Sequence, residues 1–192
     1  MSAILLFCTS NVRASVINRL MNECAIPEDA SNIFSLVRTP NQETLDEWQT
    51  QTPVQEFDTG FEGKSDVELR RFFQERLDKH TDTQTTSISD SWLAVLDDKS
   101  PSQGTVVMHY TYDKSSWGPN PIPGPAEVSD DTIWWKWRVP FQSAWTFWNA
   151  VGSIGADAIE IYSRPEYTSS DGVLQTEIPE KIINGEIEDP HA

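Results

Sequence analysis

At Pro140 the spacing of apolar residues switches from two to between three and four. The switch falls inside the most aromatic stretch of the chain, residues 131–155, DTIWWKWRVPFQSAWTFWNAVGSIG. Before the proline, Ile133, Trp135, Trp137 and Val139 alternate with Trp134, Lys136 and Arg138, the period of a strand whose two faces meet different surroundings. After it, Phe141, Ala144, Trp145, Trp148, Val151 and Gly152 recur at helical spacing, and proline suits a first helical position, where its missing N–H has no partner to lose. A buried Trp removes roughly 150–250 Å² from water, and truncating one in a core costs about 3–5 kcal/mol. The stretch therefore predicts a core strand running into a core helix, with the rest of the chain packed around both.

The second face of that strand is different in kind. Trp134, Lys136 and Arg138 place an indole beside two cations, a set that stacks on a ligand ring, holds an anion, or lies under its own aliphatic stems. Trp117 opens the Pro/Gly-dense run WGPNPIPGP, residues 117–125, just ahead of the strand. A rigid loop of this kind covers a sheet edge or rims a pocket. Trp134, Lys136, Arg138 and Trp117 are the candidate binding residues.

Charge narrows the possible partners. Acidic residues outnumber basic ones by 30 to 14, for a net charge of −16, and a phosphate backbone needs Lys and Arg to displace its counterions. Nucleic acid is not an expected partner, and the same field repels anionic membrane surfaces. No window approaches the about eighteen continuous apolar residues of a membrane span. The apolar run Ala3 to Cys8 is short for a signal-peptide core and has no basic residue before it, so a cytoplasmic setting is expected. The two cysteines, Cys8 and Cys24, fit free thiols in a reducing compartment better than a disulfide framework.

Taken in order, Ala3 to Cys8 predicts a buried strand, and Val12, Val16, Ile17, Leu20, Met21 and Cys24 a helix after a polar turn. Pro27 to Asn32 predicts a linker, Ile33 to Arg38 a strand, and Leu45 with Trp48 a short helix. Ser65-Asp66-Val67-Glu68 is a capping box, and Leu69, Phe72, Phe73 and Leu77 form the apolar stripe of the helix that it starts. Arg70, Arg71 and Arg76 lie off that stripe and are expected to face water. His80 to Ser91 predicts a polar loop. Trp92 to Leu96 and Gly104 to Tyr112 predict an antiparallel hairpin. Asp97 and Asp98 at its turn, with His109 in its second strand, are the acid and histidine set to test for chemistry; one His without a second at ligand spacing is not a metal signature, so no metal and no cofactor are expected. Ile154 to Tyr162 fits a last strand or a helical turn. From Glu177 acids dominate and a mobile tail is expected.

The opening strand, polar loop and helix form a corner whose free N–H groups suit an anion, with Cys8 at its mouth. It resembles the start of low-molecular-weight tyrosine phosphatases, in which a cysteine enters a phosphate-cradling loop ending in Arg-Ser. Four residues separate Cys8 from Arg13 where that family has five, and Ala14 stands at the family's Arg position. The resemblance implies a thiolate at Cys8 and an Arg that clamps a phosphate; Arg13 is the candidate for that Arg, one position short of the family's spacing. The opening is also similar to thioredoxin-like and glutaredoxin-like proteins, without their CxxC. Further on, Leu36-Val37-Arg38-Thr39, Trp48, Gly63, Leu69, the Leu93 to Asp97 strand, Arg138-Val139-Pro140 before Trp145, and Asp171-Gly172-Val173 resemble, in their order, an uncharacterised actinobacterial family of unknown function over residues 33–175. Pro40 stands where that pattern has an acid. This second resemblance implies a compact α/β fold in an intracellular setting.

The expected architecture is one α+β or α/β domain over residues 1–176, a mixed sheet of about five strands with helices packed on it, and an acidic tail over 177–192. The expected function is binding of an unknown protein or small-molecule ligand at the Trp134, Lys136 and Arg138 face and the proline loop. The alternative is a small enzyme with its site at the Cys8 to Ser15 corner or at Asp97, Asp98 and His109.

Overall fold

The all-apolar run AILLFC is the second strand of the sheet, β1 (Ala3–Cys8), and it is buried at every position. A strand covered on both faces has no reason to alternate. A computed structural model of the protein describes residues 2–24, 32–46, 48–81 and 87–191. From β1 the chain passes through α1 (Ala14–Glu23) and returns as β2 (Phe34–Leu36), parallel to β1. It then passes through α2 (Asp66–Thr81) and returns as β3 (Ile88–Leu96), parallel to β1 on its other side.

From β3 onward the strands of the sheet pair antiparallel. A short helix, α3 (Ser100–Gln103), ends at Gly104 with φ of 63°, a left-handed turn that leads into β4 (Thr105–Asp113). After α4 (Lys114–Trp117) and the proline loop come β5 (Ala126–Val128) and β6 (Thr132–Pro140). The sheet has six strands in the order β2-β1-β3-β4-β6-β5. The additional strand is β5, whose three residues are too few to show a period of two. Pro140 closes β6, and a 3-10 turn at Phe141–Ser143 precedes α5 (Ala144–Ile154). The segment that fitted either strand or helix is helical: Gly155 turns at φ of 72° and α6 (Ala156–Tyr162) follows. The chain is therefore a single α+β domain built on a mixed sheet.

Two cores lie on the two faces of the sheet. On one face Ile4, Leu6, Cys8, Trp92, Ala94 and Leu96 join Trp135, Trp137 and Val139 beneath α1, α5 and α6. Phe147 packs edge-on to Trp137 at 5.2 Å and to Tyr162 at 4.8 Å. The buried stripe of α5 is Ala144, Phe147, Ala150 and Val151, rotated from the expected one, so Trp145 and Trp148 pack only partly against this core. On the other face Leu5, Phe7, Leu93, Val95 and Val107 meet Phe61, Leu69 and Phe73 under α2. The capping box forms: Ser65 N–H donates to Glu68 Oε2 at 3.0 Å and Glu68 N–H to Ser65 Oγ at 3.4 Å.

Other local expectations meet a different outcome. No helix forms over residues 42–46 or 48–50, and Trp48 stands 65 % exposed. There the side chains satisfy the backbone themselves: Gln42 Oε1 accepts from Arg38 N–H at 2.9 Å, and its amide donates to Thr44 O at 3.0 Å. Ile88 to Ser91, expected in a loop, open β3 because Ile88 pairs with Ala3. Residues 27–31 of the expected linker and 82–86 of the expected loop lie outside the described residues. In the acidic segment, α7 (Glu177–Ile183) buries Pro179 and Ile182, and Arg164 grips both carboxylate oxygens of Asp189 at 2.7 and 2.8 Å. No helix among the described residues is long and apolar enough to cross a membrane.

Candidate functional site

The face of β6 that carries Trp134, Lys136 and Arg138 looks toward α2, and its register with β4 sets Thr111, His109 and Val107 beside them in turn. This brings together two candidate sets, the Trp/Lys/Arg row and the Asp97/His109 pair, that lie far apart in sequence. Each member has a distinct role there.

Trp134 is 8 % exposed and packs edge-on against Phe73 at 6.3 Å. A guanidinium does lie over its ring, but it is that of Arg70, 4.8 Å from the centroid. The indole is thus roofed by α2 and offers no open face to a ligand, which corrects its expected stacking role. Arg70, expected in water, is itself 7 % exposed. Its planar head suits a slot between an indole and a carboxylate: it ion-pairs with Glu127 of β5 and approaches His109 Nδ1 at 3.4 Å. Sequence spacing placed Arg70 off the apolar stripe, whereas it lies on the buried face of α2 beside Leu69 and Phe73; no local pattern signals that a short edge strand brings Glu127 against it.

His109 is fully buried. Burial pushes its pKa well down; the nearby Asp66 carboxylate opposes this, while Arg70 and Lys136 add to it, so the ring is neutral near pH 7. Arg70 can only donate, so Nδ1 carries the lone pair and the ring proton sits on Nε2. That Nε2 has no hydrogen-bond partner and faces Asp66 Oδ1 at 3.6 Å. The other oxygen of Asp66 accepts from Lys136 Nζ at 2.6 Å. Burial alone would raise the Asp66 carboxyl, but the Lys136 bond and the charges of Lys136 and Arg70, joined by that of His109 once its ring is protonated, outweigh it and hold it below the usual carboxylate range.

Farther along the row, both guanidinium nitrogens of Arg138 reach Asp97, and Nη1 also donates to Thr105 Oγ1 at 3.1 Å. Asp97 Oδ1 accepts as well from Ser100 Oγ at 3.0 Å and from the N–H groups of Lys99 and Ser100 at 3.1 Å. Burial would raise this carboxyl too, yet Arg138 and the turn donors keep it low. Asp97 is therefore a turn cap and an ion-pair partner with its acceptor sites occupied, ill-suited to act as a base. Asp98 is exposed on the same turn.

These groups border a cleft of about 270 Å³ over Val95 and Val107. Thr9, Lys64, Asp66, Asp97, Lys136 and Arg138 line it. Thr9 follows β1 and Asp97 follows β3, and Thr9 N–H donates to Leu96 O at 2.9 Å. The cleft therefore lies off the carboxyl ends of two parallel strands whose neighbouring helices pack on opposite faces, the place where open α/β sheets receive ligands. Lys64 and Asp66 come from the start of α2, and Gly172 reaches the cleft from a turn near the end of the chain. Thr9, Lys64, Asp66 and Gly172 were not legible as site residues, since only the crossing of α2 over the sheet brings them there.

The Cys8 corner has another occupant. The Cys8 side chain is 1 % exposed in the α1-side core, and burial pushes its thiol up to about 12. The first free N–H of α1, that of Ala14, donates to Glu56 Oε2 at 3.0 Å. The start of α1 thus already donates to a carboxylate of the protein itself, and Arg13 is exposed. The thiolate and phosphate clamp implied by the phosphatase resemblance are not assembled here. Trp117, for its part, is remote from the cleft: it packs on Trp135 at 5.2 Å and Tyr112 at 5.7 Å, on the opposite side of the sheet. Among the described residues, no group of three or more His, Cys, Asp or Glu side chains is placed to hold a metal ion.

Comparison with protein-family models, with curated proteins and with solved structures finds no match to this chain. The chemistry of the cleft is therefore argued from its own groups. Its acids are engaged carboxylates, the neighbouring His109 is sealed off, and its exposed charged groups are the ammonium groups of Lys136 and Lys64. That set is suited to holding charge rather than to moving a proton.

Proposed function

We propose that this protein binds a small polar ligand carrying an anionic group, a carboxylate or a phosphate, in the cleft between the start of α2 and the ends of β1 and β3. The observation that carries this reading is the convergence of Lys64, Lys136 and Arg138 on one cleft beside Thr9. Lys136 remains 46 % exposed and Lys64 45 % exposed despite their carboxylate partners. An incoming anion has two accessible ammonium groups to meet, while Arg138 stays paired with Asp97 at the cleft's edge. Exchange is easy because exposed ion pairs contribute only about 0–1 kcal/mol.

Inorganic phosphate and malonate are the probes. A ligand that binds only the folded state at ten times its Kd stabilises that state by about 1.4 kcal/mol, which a thermal melt resolves. Saturable stabilisation by either probe that Lys136→Gln weakens at least tenfold supports the reading. Stabilisation that tracks ionic strength alone, or that survives Lys136→Gln unchanged, counts against it.

A further inference from the structure

A larger cavity lies on the other side of the sheet. About 510 Å³ opens between the proline loop and α6, within the roughly 300–1,000 Å³ typical of small-molecule sites. One wall is Trp117 with Pro121 and Pro123, and the other carries Asp157 and Glu160. The residues that line it include two carboxylates, an indole and no basic side chain.

The aromatic wall is fixed in advance. Trp117 Nε1–H donates to Asn120 O at 3.2 Å, and the ring packs against Trp135. Trp135 in turn donates Nε1–H to Pro123 O at 2.8 Å, which ties the loop to the core strand. The prolines add stiffness, so little ordering remains to be done on binding.

The acidic wall is available. Glu160 is 63 % exposed and meets Arg164 at only 3.3 Å, while Arg164 is gripped by Asp189 through two shorter bonds. Asp157 is exposed on the same helix. An indole face attracts a cation by its quadrupole, and a carboxylate beside it attracts the same cation by charge. The proline and indole surfaces suit an aliphatic stem. We infer that this cavity is a second binding site, for a primary ammonium carried on a short aliphatic chain. Such a group occurs in free alkylamines and in the lysine side chain alike.

The test follows the Trp117 indole N–H by nuclear magnetic resonance in the full chain. The probes are n-pentylammonium chloride and Nα-acetyl-lysine methylamide, with 1-pentanol and sodium chloride as controls. The inference expects a saturable shift with an ammonium probe, at least tenfold weaker in Asp157→Asn/Glu160→Gln. It also expects 1-pentanol to bind at least tenfold more weakly than n-pentylammonium, a comparison that needs no variant. Tighter binding of the lysine derivative points to a peptide source, and tighter binding of pentylammonium to a free amine. Equal binding of pentanol, an affinity unchanged in the double variant, or a response reproduced by sodium chloride overturns it.

Discussion

Arg70 holds its guanidinium 4.8 Å over the ring of Trp134, and both residues are buried between α2 and β6. The pair joins helix to sheet by charge and by area at once. Arg70→Lys keeps the charge and loses the plane, the fork and the stacking. Arg70→Ala also leaves His109 Nδ1 without its nearest donor. Arg70→Ala should cost about 2–3 kcal/mol and Arg70→Lys about half of that, read as shifts of the urea midpoint at constant slope. A loss below a few tenths of a kcal/mol for Arg70→Ala would show that the contact contributes nothing.

Stability should depend on pH through His109. Burial depresses its folded pKa below the ordinary value of 6.5, so between those two values the unfolded chain binds a proton that the folded chain does not. The stability this group contributes is present above about pH 6.5 and lost as pH falls, by up to about 1.4 kcal/mol per unit. Asp66 and Asp97, whose carboxyls are held low, begin to act only nearer the ordinary Asp value of 3.8. Urea titrations from pH 7 to pH 5 should therefore show a falling midpoint that His109→Gln flattens. Parallel profiles for the two proteins would remove His109 as the cause.

Tryptophan emission separates buried from exposed rings. Trp48 is 65 % exposed whereas Trp134 and Trp135 are 8 % and 0 %. The reddest, most acrylamide-accessible part of the emission should shrink with Trp48→Phe and be unchanged with Trp134→Phe, the half-buried Trp117, Trp145 and Trp148 supplying what remains. The opposite assignment would mean that α2 does not cover the β6 face in solution.

Cys8 and Cys24 are both buried, and burial raises both thiols to about 12. Neither should react with iodoacetamide at pH 7 on the timescale of a free thiol, and both should react after unfolding in guanidinium chloride. Rapid alkylation of Cys8 in the native protein would restore a thiolate to the corner beside Ala14.

The sequence was most informative where one residue's burial is set by its immediate neighbours. The period of two over Ile133 to Val139, the capping box at Ser65 and the helix from Ala14 all appear where local pattern puts them. The Asp97-to-Gly104 link makes the expected antiparallel turn. Trp134, Lys136 and Arg138 do share a face, but which of them stays open depends on α2, some seventy residues earlier in the chain. The same distance hid Asp66 and Lys64 from the site and misplaced Arg70. Glu56 at the α1 corner is a further case, because a carboxylate in a polar loop gives no local sign that it caps a helix 42 residues away.

Thr9 and Gly172 border the same cleft from opposite ends of the chain, and Leu174 N–H donates to Arg138 O at 2.8 Å beside it. A ribosome releases β1, β3 and the Asp97 turn long before it releases Gly172. During synthesis the hydrophobic sheet can therefore assemble while the cleft still lacks the wall that Gly172 supplies. A nascent chain arrested ahead of residue 172 would already pair β4 with β6, and its cleft would still be open on the side that Gly172 closes.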